Sequence, residues 1–141
     1  MLDSESVNTA EYNYLTALMV DRGEQHPSVV EALRSGGFRI VEAAGFSHAL
    51  DCVRNVGPRL VIVAEAILPI YGADFLAALR RLTIAPIVVV GAGGRHSLVR
   101  ALEGGADAYV DPSVTPVVFL ARVRAMLRRY ARTHASNDGA S

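Results

Sequence analysis

The residues of this chain with the makings of chemistry stand at the ends of short apolar runs. Asp21-Arg22, Ala64-Glu65 and Asp111-Pro112 each place an acid there, and VVVGAGGRHS (88–97) places a glycine-rich turn at Gly91-Ala92. An acid just past an apolar run is where a strand delivers chemistry at its carboxyl end. Backbone N–H groups of the glycine turn could take an anion. That turn lacks the GxGxxG spacing and any Walker lysine, so it is no nucleotide fingerprint. All fourteen basic residues are Arg, which excludes every mechanism that needs a lysine ammonium. Ser47, His48, Asp51 and Cys52 cluster on one helical turn. Two ligands four residues apart are too few for a metal, and an exposed turn offers a triad no oxyanion hole. The cluster reads as a solvated helix face with Cys52 turned inward.

These strand ends need elements to carry them. With 141 residues, 51% apolar and 20% charged, the chain fits one well-packed domain. The N-terminus lacks the basic start and apolar core of a signal peptide, so a cytoplasmic location is expected. The single Cys52 excludes an intrachain disulfide, and the formal net charge of zero gives no bulk case for nucleic acid or membrane. Apolar runs at 14–20, 38–43, 59–64, 85–90 and 107–110 have strand length. The third and fourth are near-continuous Val, Ile and Leu, as in parallel strands covered on both faces. Helical spacing occupies 27–35, 47–56, 73–82, 96–103 and 116–131. Strand and helix thus alternate five times, which predicts an α/β fold: a doubly wound, five-stranded parallel sheet over 14–131. Residues 1–13 and 132–141 are polar and expected to be flexible. In such a sheet chemistry sits beyond the carboxyl ends of the strands, where the strand order switches.

LMVDR (18–22), GPRLVIV…LP..G (57–72), APIVVVGA (85–92) and RALEGGADAYV (100–110) together resemble a response-regulator receiver domain, a flavodoxin-like (βα)5 fold. FLARVRAMLRR (119–129) is similar to the last receiver helix of the OmpR-type subfamily. The resemblance implies two acids after the first strand, a phospho-accepting Asp after the third, Thr or Ser after the fourth, and Lys-Pro after the fifth. Asp21 matches the first acid, but Arg22 stands where the second should contact Mg²⁺. Gly91 replaces the Thr or Ser, and Asp111 precedes Pro112 where the Lys belongs. Counting from Pro58 puts Ala64 at the phospho-acceptor position; counting back from Leu68-Pro69 puts Glu65 there. Both readings lack the Asp. In the second, Glu65 resembles a fixed stand-in for the phosphorylated state, and Arg22 could pair with it in place of a metal.

The expectation is therefore an atypical receiver: no enzyme, no cofactor, no metal, signalling through contacts instead of phosphorylation. Tyr109 matches the family's aromatic switch position. OmpR-type receivers dimerise through the fourth helix, fifth strand and fifth helix, and Arg100, Glu103, Asp107, Arg122 and Arg124 match charged positions of that face. Leu98 and Val118 replace an Arg and a Glu, turning an ion pair into an apolar pair; the alternative is that Leu98 joins the core. The expected partner is a second copy or a signalling protein. The last helix carries Arg122, Arg124, Arg128, Arg129 and Arg132 with no acid from 112 to 137. No nucleic-acid-reading element follows, so direct DNA binding is not expected. Two alternatives remain open. One is a small-ligand sensor using the crevice of Asp21, Arg22, Glu65 and Gly91–Gly94; the other is the regulatory half of a DNA-binding regulator.

Overall fold

The computed structural model describes residues 15–22, 26–72, 74–111 and 113–131. Of the segments expected to be flexible, 1–13 and residue 141 lie outside the described residues, and 132–140 are described only as backbone continuing the last helix. Five strands alternate with five longer helices: β1 (Thr16–Val20), α1 (Pro27–Ser35), β2 (Arg39–Ala43), α2 (Phe46–Val56), β3 (Leu60–Ala64), α3 (Asp74–Leu82), β4 (Ile87–Val90), α4 (Arg95–Glu103), β5 (Ala108–Val110) and α5 (Pro116–Ala140), whose side chains are described through Ala131. Between β3 and α3 runs a short 3₁₀ turn, Glu65–Ile67, continuing into one α-helical turn, Leu68–Tyr71.

All neighbouring strands pair in parallel, in the order β2-β1-β3-β4-β5. Every residue of β1, β3 and β4 is buried, which explains why their sequences are apolar without alternation. The hydrophobic core divides across the sheet. Val29 and Leu33 of α1 pack with Phe119, Val123 and Met126 of α5 on one face. Cys52 and Val53 of α2 pack with Phe75 and Leu79 of α3 on the other. Right-handed crossovers require this split, since each change of winding direction sends the next helix to the opposite face.

Register decides what the strand ends present. Val20 pairs with Val63, and Ala64 pairs with Val90. Asp21, Glu65 and Gly91 are therefore the first residues to leave their strands, around the switch between β1 and β3. An aromatic cluster holds the segment after β3 in place. Tyr71 and Phe75 meet edge-on at 5.0 Å, as do Phe46 and Phe75, and the amide of Gly45 donates to the Tyr71 hydroxyl. Among the described residues no helix is long and apolar enough to cross a membrane.

Candidate functional site

Glu65 is the first residue of the 3₁₀ turn, which swings its side chain across the end of β4. Its Oε1 accepts a hydrogen bond from the Tyr109 hydroxyl at 2.8 Å and one from the amide of Ala92 at 3.3 Å. The same Tyr109 hydroxyl oxygen accepts from the amide of Gly93 at 2.8 Å. One carboxylate on β3's extension, one phenol on β5 and two amides of the β4–α4 turn thus form a closed network. Burial pushes the Tyr109 hydroxyl above its ordinary pKa, the Gly93 N–H opposes this, and the neighbouring Glu65 carboxylate adds to it.

Gly91 makes room for that network. A Cβ built on it would overlap Glu65 Oε1 and lie 2.5 Å from the Tyr109 hydroxyl oxygen. The absent side chain is a condition of the Glu65–Tyr109 contact. Gly93 has a different reason: its φ is +96°, and a Cβ there would run into Asp111 Oδ2. Asp111 is exposed, and its Oδ1 accepts from the Ser113 amide at 2.8 Å. That hydrogen bond holds its carboxyl below the ordinary range.

The remaining predicted positions fall as follows. Asp21 is buried, its amide bonded to the Ala43 carbonyl, and Ala64 is buried at the end of its strand. Arg22 is exposed. Arg22 has an interaction of its own, and the ion pairs seen between described residues, Arg54–Asp51 and Arg80–Asp107, do not include the anticipated Arg22–Glu65 pair. The physical reason is the Tyr109 hydroxyl and the Ala92 amide, which claim Glu65 Oε1 from the β4–β5 side. The crevice anticipated over Gly91–Gly94 is filled by the chain's own Glu65 and Tyr109 side chains, with Asp111 against Gly93. A magnesium ion does not fit this donor set. Among the described residues Asp21 is the one carboxylate at the end of β1, a guanidinium follows it, and Ala64 has no side-chain oxygen. Among the described residues no three His, Cys, Asp or Glu gather as a metal cluster.

The face built from α4, β5 and α5 is apolar at its surface. Leu98 is 38% exposed and Val118 44%, so Leu98 does not join the core. Val99, Leu102 and Val117 are exposed too. Arg100, Glu103, Arg122 and Arg124 are exposed around them. Asp107, grouped with these by sequence, turns to its own chain. Its Oδ2 accepts from Arg80 and from the Ile87 amide, both at 2.7 Å, and its Oδ1 accepts from the Tyr130 hydroxyl at 2.7 Å. Sequence reasoning missed Arg80 and Tyr130. Tyr130 was within reach, because it continues the inward stripe Phe119, Val123, Met126 and Leu127; nothing local marks Arg80.

Comparison with known proteins agrees with this fold. The transcriptional regulatory protein KdpE of Mycobacterium tuberculosis is 33% identical over 111 residues, covering 75% of this chain and 49% of the relative. The DNA-binding response regulator MtrA of Mycolicibacterium smegmatis is 36% identical over 111 residues, with the same coverage of each chain. The chain spans about half the length of the curated relatives it matches. The receiver domain of Klebsiella pneumoniae RstA, in its BeF3-activated form, superposes with a TM-score of 0.69 at 24% identity, covering 80% of this chain and 98% of that one. A CheY-like receiver domain from Methanospirillum hungatei superposes with a TM-score of 0.68 at 21% identity, covering 84% and 97%. No family model matches the chain. In fold and in the similarity of its sequence to these regulators, the chain is a receiver domain of the response-regulator family.

Proposed function

We propose that this receiver signals without phosphorylation and acts as an interaction module instead of an enzyme. The observation that carries the reading is the 2.8 Å hydrogen bond from Tyr109 to Glu65 across Gly91. In the receivers this chain resembles, a phosphoryl group on Asp is read by Thr or Ser and by Lys. Here a permanent carboxylate occupies the space over Gly91 that a Thr side chain would take, and it holds the switch aromatic directly. Because Tyr109 also accepts from Gly93, the contact ties down the turn that leads into α4. The α4-β5-α5 face, with Leu98 and Val118 at its surface and Arg100, Glu103, Arg122 and Arg124 around it, then meets a second copy without a phosphoryl trigger. Replacing an ion pair by an apolar pair removes the desolvation cost of two charges at such an interface.

The test is mass by light scattering across a concentration series, with and without Mg²⁺ and a small-molecule phosphodonor. The expected result is a dimer indifferent to both additions and lost in Leu98→Arg. A mass change on adding phosphodonor with Mg²⁺ overturns the reading. A second reading, the regulatory half of a DNA-binding regulator, is favoured by one observation: the relatives named as transcriptional regulators are about twice the matched length. Fusing a DNA-binding domain after α5 and measuring operator affinity at matched dimer concentration tests it.

A further inference from the structure

A cavity of about 550 Å³ opens between α4 and the segment that follows β3. Leu68, Pro69 and Leu76 give it an apolar side, while Glu65, Ser97, Arg100 and Glu103 give it polar groups. Its size is in the range of small-molecule sites, roughly 300–1,000 Å³. It is distinct from the filled crevice over Gly91, although Glu65 belongs to both. Arg100 and Glu103 are exposed and enter neither ion pair of the described residues. Its lining thus carries two carboxylates and one guanidinium, a formal excess of one negative charge beside an apolar wall; Oε1 of Glu65 is already bonded to Tyr109 and Ala92.

The geometry points to a binding site for a small protonated amine with an apolar body, held between α4 and the Glu65–Gly72 segment. An ammonium brings three donors, matching the carboxylates of Glu65 and Glu103 and the hydroxyl of Ser97. The apolar body lies against Leu68, Pro69 and Leu76, where it leaves water. Anionic ligands meet two like charges and are rejected. Occupancy is felt at α4, whose one buried residue is Ala101. Ser97, Arg100 and Gly104 recur on its cavity side at helical spacing, while Leu98 and Leu102 recur on the side that forms the exposed patch.

This inference goes beyond the phosphorylation-independent reading and does not depend on it, so its test omits both phosphodonor and Mg²⁺. The full chain, ¹⁵N-labelled, is titrated with phenethylamine, with 2-phenylethanol and with 3-phenylpropanoate, following backbone amides. The expected result is saturable shifts with the amine alone, centred on Gly72 and on 97–104. Glu103→Gln weakens binding by about tenfold. Arg100→Gln strengthens it, and this second variant keeps the charge argument testable should Glu103→Gln perturb α4. Equal binding of the alcohol, binding of the carboxylate, or no saturable shift with any of the three overturns the proposal.

Discussion

Gly91 has no left-handed backbone to explain it; its φ is not among the positive values found at seven other glycines. What it supplies is space, and Glu65 and Tyr109 use that space. Gly91→Thr therefore displaces the carboxylate and the phenol together. Nuclear Overhauser contacts between Tyr109 and the Gly93 turn are expected to disappear in that variant. Tyr109→Phe keeps the ring and removes the hydrogen bonds. Its expected cost is about 1 kcal/mol, seen as a melting temperature lowered by a few degrees. Tyrosine ionisation offers an independent check. Tyr109 and Tyr130 are both pushed above the ordinary tyrosine value, each chiefly by burial, so the neutral forms are favoured in the fold. A group whose folded pKa is raised contributes stability below its unfolded value near 10, and that contribution is lost as pH rises through the folded pKa. Tyr109 and Tyr130 should ionise late in an absorbance titration, with stability falling over the same alkaline range. Ionisation of both at the ordinary tyrosine value contradicts this.

At the scale of elements, the Asp107 network joins α3, the start of β4 and the end of α5. Asp107→Ala leaves the amide of fully buried Ile87 without its side-chain acceptor, and the expected loss is about 2 kcal/mol in chemical denaturation. Tyr130→Phe removes only the outer bond and should cost less. These elements were largely legible in the sequence. Continuous apolar runs located β3 and β4, and paired glycines or Gly-Pro located the ends of α1 and α2. The helical turn Leu68–Tyr71 was not legible, because Pro69 reads equally as a loop residue and as the first-turn proline it is here. The partners of Glu65 were hidden for a different reason. Tyr109 lies 44 residues away and reaches it only through strand register, whereas Arg22 looked closer as a charge. The own-chain partners of exposed Asp107 were hidden for the same reason: nothing local in the sequence marks Arg80 or Ile87.

For the molecule as a whole, zero formal charge and an apolar face on α4 and α5 favour self-association over long-range steering. Under the proposed pairing, adding salt should leave the association constant almost unchanged, in contrast to a charge-paired interface, and sedimentation at low and high ionic strength measures this. Leu98→Arg places a cation in the apolar patch and should yield monomer at every concentration, with the fold intact by circular dichroism.

The lopsided anchoring of α4 has a consequence in time. β1 and β3 are covered on both faces and bonded on both edges, so their amides can exchange with solvent only through global opening. α4 buries Ala101 alone and should exchange orders of magnitude sooner, through excursions that leave the sheet untouched. The loosening of one helix then sets the shortest clock in this domain, while the sheet beneath it keeps still.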